Sequence, residues 1–429
     1  MLKRVFPIAF DKLRSSTLAR NTLWMLLGYG SRAVIQAVYF VVLARSLRPE
    51  GYGAFVGTAA LIAIIAPFAS LGYDWLLIKN VARNSGLFEK YWGNALVMNL
   101  LAGSVLIGAA GLLSSYLLPN TISPLLIFSV AAADLLFAQI LGTTGKAFQA
   151  LERLNWTAYF QVLLSLLKLA AALGLALLVA SPAPGQWGLL YLLSSVLSAF
   201  IGFWIVSRKL GVPRPDLSGA ASELKEGLYF SIGLSSHTIY DNIDKTMLAR
   251  LSTLEATGIY AAAYRLIDVS SSPLMSLLFA SYARFFQHGR GGIGRALGYA
   301  KRLLSYAGAY GLFTGVVLFL VAPLLPYLLG SEYQNAVEAI RWLALLPFLR
   351  AIYYLVADAL TGAGFQGLRS SVQVFVALFN ILINLVLIPA YSWRGAAWAS
   401  IASDSLLLIG LMATAWYVYR KERVLEAVD

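Results

Sequence analysis

The sequence has little charge and no cysteine. Only 12% of its 429 residues are Asp, Glu, Lys or Arg, whereas 59% are hydrophobic. Soluble domains carry about 25% charged residues, so this chain has too little polar surface to form soluble globular domains. The absence of cysteine excludes disulfides and thiolate metal sites, and with only two histidines no metal site is expected. The composition therefore indicates a polytopic membrane protein.

Motifs for nucleotides and for targeting are also missing. The glycine-rich run GRGGIGRALGYAKR has no Walker Lys-Ser/Thr pair, so neither an ATPase module nor a cofactor is predicted. The net charge of +13 comes mostly from basic residues between apolar segments. Membrane topology explains this pattern, and no nucleic-acid partner is expected. In residues 1–20 the apolar run VFPIAF is too short for a signal sequence, which predicts an amphipathic segment on the membrane surface, with a frayed terminus as the alternative.

Apolar segments long enough to cross a bilayer recur along the chain, and each must be helical because lipid offers no hydrogen bonds to the backbone. There are twelve: 22–44, 54–78, 94–118, 122–142, 156–180, 186–207, 227–250, 258–282, 303–329, 336–361, 370–390 and 395–419. With the N-terminus in the cytoplasm, most of the 33 Lys and Arg residues also lie on the cytoplasmic side. We predict an all-α integral membrane protein with both termini in the cytoplasm.

The longest connection between spans contains VPRPDLSG and divides the helices into two sets of six. The predicted organisation is an amphipathic segment at 1–20, an N-lobe at 21–207, a cytoplasmic linker at 208–226, a C-lobe at 227–419 and a cytoplasmic tail at 420–429.

An internal repeat relates the two sets of helices. A constant offset of 205 residues aligns LARSLRPEGYGAF with LARLSTLEATGIY, so that Arg45 pairs with Arg250 and Gly53 with Gly258. Six spans separate the two copies, so both enter the membrane in the same direction. Parallel repeats of this kind are related by a pseudo-two-fold axis along the membrane normal, and transporters bind their substrates between the two repeats.

A polar stripe follows the first helix of each repeat. In the first repeat, Arg32, Gln36 and Tyr39 share one helix face by their spacing. The residues at the equivalent positions of the second repeat are His237, Asp241 and Asp244. A charge in the centre of the bilayer costs at least about 2.5–3.5 kcal/mol, so we expect both stripes to face a hydrated central cavity. The alternative is a structural ion pair of Asp241 with Lys245, whose ammonium reaches toward the interface.

Basic residues inside other spans favour an anionic solute, and arginine in particular matches phosphate oxygens. The predicted substrate-binding residues are Arg32, Gln36, Tyr39, Lys168, His237, Asp241, Arg265 and Arg350. Acidic residues inside spans are candidates for H⁺ or Na⁺ coupling. These candidates are Asp134, Asp244, Asp268, Asp358 and Asp404. For Arg265 and Asp268 a local ion pair is an equally good interpretation.

The chain resembles the polysaccharide (O-antigen) flippases, whose superfamily also contains multidrug exporters and lipid II flippases. The resemblance covers nearly the whole chain and is carried by NTLWMLLGYG, LARSLRPEGYGAF, PFASLGYDWLLIKNVAR, YDNIDKTMLARLSTLEATGIYAAAYRL and NILINLVLIPAYSWRGAAWAS. It implies a transporter with a V-shaped central cavity, and not an enzyme. The lipid II flippases typically have two further helices, so an end after helix 12 favours the polysaccharide branch.

The substrate that the resemblance implies is an undecaprenyl-diphosphate-linked oligosaccharide, held through its diphosphate by cationic cavity residues. It would cross the cytoplasmic (inner) membrane by alternating access, for polysaccharide or lipopolysaccharide O-antigen synthesis. The expected partners are this substrate, membrane lipids and the polysaccharide polymerase and chain-length machinery.

Two other functions remain open from the sequence. A cation-coupled multidrug exporter would share the fold but would prefer cationic solutes, which the basic residues disfavour. A membrane glycan polymerase or ligase would need a large external loop with catalytic residues, and the predicted external loops are short.

Overall fold

The computed structural model describes the backbone of residues 17–426. It describes their side chains except those of residues 17–29, 220–222, 229–230, 232–234, 236–237, 280, 283 and 425–426. Most of the predicted amphipathic segment at 1–20, and the side chain of His237, therefore lie outside the described residues. The described backbone is mostly helical and contains no strand. This confirms the all-α prediction for this part of the chain.

The helices have the following bounds. The first seven are α1 Thr17–Ile65, α2 Tyr73–Arg83, α3 Phe88–Leu117, α4 Pro124–Ala132, α5 Ala138–Ala150, α6 Leu154–Leu178 and α7 Pro184–Lys209. The remainder are α8 Ala220–Leu251, α9 Leu254–Ser270, α10 Ser272–Gly289, α11 Ile293–Val321, α12 Leu325–Leu329, α13 Gln334–Leu343, α14 Leu346–Gly362, α15 Gln366–Tyr391 and α16 Trp393–Glu426.

Helix starts follow local sequence signals. The Ser123 hydroxyl accepts a hydrogen bond from the backbone N–H of Leu125, and Pro124 occupies the first position of α4. At the start of α9, the Thr253 hydroxyl accepts from the N–H of Ala256 at 3.0 Å. Such caps satisfy N–H groups that have no partner within the helix, which matters most where water is scarce.

Each predicted span falls on described helix, but several spans contain breaks that the sequence pattern did not indicate. Within α1, Arg48 has φ of 60° before Pro49, so α1 consists of two helices that meet there, in the predicted connection between the first two spans. The span predicted at 54–78 leaves the α-helix at Ile65, and Leu71 and Gly72 have positive φ of 48° and 74°. A Cβ on Gly72 would lie 2.1 Å from the Gly227 carbonyl oxygen, so close backbone packing accounts for the break at that point.

Nine helical segments of the described chain are long and apolar enough to span a membrane. One of them, Gly30–Phe68, contains most of the first predicted span and the start of the second. The predicted spans at 227–250 and 258–282 lie on α8, α9 and α10, which carry more charge. The protein is thus a multi-pass helical membrane protein, consistent with about twelve spans.

The helices form two compact units. The first comprises the chain up to Leu47 together with Thr58–Asn242, and the second comprises Arg48–Gly57 and the chain from Ile243 onward. In the first unit an aromatic core forms around Trp92 and Phe148. In the second unit small residues of α11 and α14 pack around Phe285.

A reciprocal glycine contact joins the two copies of the repeat within the second unit. A Cβ on Gly53 would lie 1.8 Å from the Leu254 carbonyl oxygen, and a Cβ on Gly258 would lie 1.9 Å from the Pro49 carbonyl oxygen. The offset of 205 residues relates Pro49 to Leu254 and Gly53 to Gly258. The two repeats therefore place the same atoms against each other, as expected for a duplicated unit.

Candidate functional site

A cavity of about 190 Å³ inside the first unit brings together four of the predicted binding residues. Arg32, Gln36 and Tyr39 line it from α1, and Lys168 lines it from α6. Its other lining residues are Ala138, Leu141, Gly142, Gly145, Thr157, Phe160, Gln161, Leu164 and Ser165.

Helical periodicity explains why these residues converge. Gln161, Ser165 and Lys168 follow 4-3 spacing, so α6 presents them on one face, just as α1 presents its own stripe. On the third wall, α5 contributes Gly142 and Gly145. A Cβ on Gly142 would meet no atom within 4 Å, so the small residue leaves open space there.

The polar groups of this cavity carry an excess of positive charge. Arg32 Nη1 donates to Gln161 Oε1 at 3.4 Å. Lys168 Nζ lies 4.0 Å from Asp134 Oδ1 and 3.7 Å from the centre of the Tyr191 ring. The cavity is thus lined by two cations, with a carboxylate beside Lys168, an arrangement suited to an anion with several oxygen atoms.

Asp134 lies in a π-helical turn at Ala133–Phe137, between α4 and α5. The Tyr191 hydroxyl of α7 donates to its carboxylate at 2.8 Å. Such turns are rare and often occur at functional sites, because the additional residue per turn redirects a side chain. Here the turn directs a carboxylate toward both Lys168 and Tyr191.

The second unit contains a separate network of buried charge. The Asp244 side chain is buried, with 3% of the residue exposed. It accepts from the Tyr260 hydroxyl at 2.5 Å and lies 3.6 Å from Lys245 Nζ. Tyr260 also shares a hydrogen bond of 2.9 Å with Ser400 of α16. Lys245 in turn lies 4.5 Å from the centre of the Tyr264 ring.

Arg350 of α14 joins this network through residues of α9 and α16. Its Nε lies 3.3 Å from Asp404 Oδ2, and its Nη1 lies 3.4 Å from Asp268 Oδ1. The third guanidinium nitrogen of Arg350, Nη2, donates a hydrogen bond to the Tyr264 hydroxyl. Arg350 and Asp404 are only 7% and 2% exposed. Arg350 therefore lies between two acids and a tyrosine of the second unit.

The remaining predicted residues lie at other positions. Asp358 pairs with Arg369 at 3.3 Å, where α14 and α15 approach each other. Asp241 on α8 and Arg265 on α9 are half-buried. The predicted binding and coupling roles of these residues, and the meeting of both polar stripes in one chamber, stay predictions.

Four residues of these sites were not predicted from the sequence: Gln161, Tyr191, Tyr260 and Tyr264. The spacing of Gln161 to Lys168 could have indicated a shared face. The three tyrosines could not be found from spacing within one helix, because each contacts charged partners on another helix.

The sequence profile of a family described as "Polysaccharide biosynthesis protein" matches residues 18–288. The succinoglycan biosynthesis transport protein ExoT of Rhizobium meliloti (strain 1021) is 23% identical over 414 residues, which cover 89% of this chain and 80% of that protein.

Two solved structures have a similar fold. An inward-facing multidrug resistance transporter of the MATE family, in the MOP superfamily, has a TM-score of 0.75 and 15% identity, covering 92% of this chain and 96% of the other. The lipid II flippase MurJ in an inward closed conformation has a TM-score of 0.71 and 13% identity, covering 92% and 87%. At these identities the likeness shows the fold alone.

Proposed function

The chain belongs to the family of polysaccharide biosynthesis proteins, and from this we propose that it translocates a lipid-linked oligosaccharide across the cytoplasmic membrane. The fold is that of the MOP transporters. The relative named for succinoglycan transport supports a role in moving a glycan precursor and not in forming glycosidic bonds.

One observation carries the proposal. Arg32 and Lys168 line the same cavity, inside a unit whose helices are otherwise mostly apolar. Holding two cations there is costly in a membrane protein, and it is understandable if the ligand is an anion. A diphosphate offers several oxygen atoms to the guanidinium and the ammonium. Gln36, Gln161 and Tyr39 add neutral groups that can bind sugar hydroxyls.

The substrate in this proposal is an undecaprenyl diphosphate that carries an oligosaccharide, and the movement occurs by alternating access from the inner to the outer leaflet. The cytoplasmic location of both termini belongs to the same proposal. Two further points stay predictions: that the protein works alongside a polysaccharide polymerase, and that transport is coupled to H⁺ or Na⁺.

Binding of a water-soluble head-group probe tests the anion site directly. The probe is farnesyl diphosphate carrying one hexose, and its binding to the purified protein in nanodiscs is measured by calorimetry. A hydrogen bond to a charged group contributes about 1.5–3 kcal/mol, so Arg32→Ala should weaken binding about 10- to 100-fold. Arg302→Ala, which removes an exposed arginine of α11, is the matched control and should leave binding unchanged.

Transport is then measured with the same variants in proteoliposomes, as the fraction of labelled substrate that becomes accessible at the opposite face. Arg32→Ala should lower this rate, whereas Arg302→Ala should not. Equal binding of the probe by wild type and Arg32→Ala would reject the anion site. Preferential binding of a cationic dye such as ethidium over the probe would favour a multidrug exporter instead.

A further inference from the structure

An apolar groove of about 470 Å³ lies beside the cationic cavity in the first unit. It is lined by Ser31, Trp156, Ala158, Tyr159, Phe160, Val162, Leu163, Leu166, Ile201 and Ile205, which belong to α1, α6 and α7. Phe160 lines both the groove and the cavity. On α1, the groove residue Ser31 directly precedes the cavity residue Arg32.

Helix α6 is the wall between these two spaces. Tyr159, Val162 and Leu166 follow 3-4 spacing toward the groove, while Gln161 and Lys168 point into the cavity. One helix thus presents an apolar face to the groove and a polar face to the cavity. This pattern suits a ligand with an anionic head and a long hydrocarbon chain.

The groove has the length of one leaflet. From Trp156 to Leu166, α6 rises about 15 Å at 1.5 Å per residue. This is half of the roughly 30 Å hydrocarbon thickness of a bilayer. The lower end of the groove is at Trp156, close to the predicted cytoplasmic connection that precedes α6.

A cation lies at that end. Lys209, at the C-terminal end of α7, places its Nζ 4.9 Å from the centre of the Trp156 ring. Lys209 is exposed, so it can meet an anionic head group at the membrane surface. The groove therefore has two cations next to it: Lys209 at the end near Trp156, and Arg32 beside Ser31.

We propose that this groove binds the polyprenyl chain of the substrate while its diphosphate contacts the cations of the neighbouring cavity. The inference rests on the proposed function and adds the place where the lipid chain is held. The polyprenyl chain enters from the cytoplasmic leaflet at Trp156 and lies along α6.

Ordinary acyl chains also fit an apolar groove, and lipid is as apolar as the side chains that line it. Moving a hydrocarbon chain from the bilayer into the groove therefore gives little favourable free energy. The substrate has an advantage because its head and chain are covalently linked, so binding of the head raises the effective concentration of the chain at the groove. Occupancy by the polyprenyl chain should depend on Arg32, whereas occupancy by phospholipid should not.

Site-specific crosslinking tests this dependence. Leu166 in the groove is replaced by p-benzoylphenylalanine, and in a matched control so is Leu193 of α7, which does not line the groove. Both positions are accessible, at 47% and 61% exposure. The protein is irradiated in vesicles of phosphatidylethanolamine and phosphatidylglycerol that contain undecaprenyl diphosphate carrying one tritiated hexose.

The position-166 protein should form a tritiated product that excess unlabelled compound removes and that Arg32→Ala largely abolishes. The position-193 protein should give little tritiated product, and neither excess unlabelled compound nor Arg32→Ala should change its amount. Equal labelling at both positions, or labelling at 166 that is insensitive to Arg32→Ala, would overturn the groove assignment. The farnesyl probe separates the two proposals: if it binds while groove labelling fails, only the groove assignment is wrong, and if it does not bind, the anion-site function itself fails.

Discussion

Arg350 shows how a single residue type can serve different purposes in the same membrane protein. The sequence places it with Arg32 among candidate ligands for an anion, but the two lie in different surroundings. Arg350 is buried between Asp404 and Asp268, whereas Arg32 lines a cavity. Local compensation of the Arg350 charge makes a stabilising role the first one to test.

Replacing Arg350 should destabilise the second unit, because Asp404 would remain buried without this cation. Loss of one partner of a buried ion pair costs about 3–5 kcal/mol. Arg350→Ala should therefore lower the thermal unfolding temperature in detergent much more than Arg302→Ala. The double variant Arg350→Ala/Asp404→Ala should recover part of the loss, and a double variant less stable than Arg350→Ala alone would contradict this account.

A second residue-scale prediction concerns pH at the connection before α8. Lys90 Nζ lies 2.6 Å from the Asp216 carboxylate. This hydrogen bond, together with those from Ser218, holds the pKa of Asp216 well below its ordinary value. Because the pKa is lowered on folding, the contact stabilises the folded connection at neutral pH. Its contribution is lost as the pH falls through the ordinary carboxyl range toward the lowered folded pKa.

Hydrogen exchange of the Asp216 amide measures this effect, since that amide donates to Asn94 Oδ1 at 2.8 Å. Its protection factor should decrease between pH 7 and pH 3 in the wild type. Lys90→Met should lower protection at pH 7 and flatten the pH dependence. An unchanged wild-type profile in Lys90→Met would show that Lys90 is not the cause.

Among the helices, the contact between the two repeats depends on glycine. Gly53→Ala would place a methyl group 1.8 Å from the Leu254 carbonyl oxygen, so the backbones must separate. We expect a loss of stability of at least about 1–3 kcal/mol, as for overpacked cores, and a similar loss for Gly258→Ala. Gly298→Ala in α11 is the control, because no atom lies within 4 Å of its added Cβ. If Gly53→Ala unfolded at the same temperature as Gly298→Ala, this result would contradict the close contact.

Periodicity and apolar length predicted where helices occur, but not where they break. The apolar run at 54–78 has the length and the hydropathy of one span, although it contains Pro67 and Gly72. Its interruption near Gly72 arises because Gly227, which is distant in sequence, packs against that backbone. The π-helical turn at Asp134 likewise has no signal in the surrounding sequence.

For the whole molecule, the distribution of basic residues predicts which loops face the cytoplasm. The chain contains no cysteine, so single-cysteine variants report topology without background. Ser218→Cys should react with a membrane-impermeant maleimide only after cells are permeabilised, whereas Asn120→Cys should react in intact cells. Both residues are exposed. The opposite result would invert the orientation, and with it the direction from which substrate reaches the groove.

Helical class, membrane character and the 205-residue repeat are all readable from the sequence, because they depend on composition and on spacing along one chain. The polar face of α1 is readable for the same reason. The partners of each charge are not: Arg32 contacts Gln161, Lys168 approaches Asp134, and Arg350 reaches Asp404. Each of these contacts joins residues that lie on different helices. Helix packing brings those atoms together, and spacing within one helix contains no information about the distance to another.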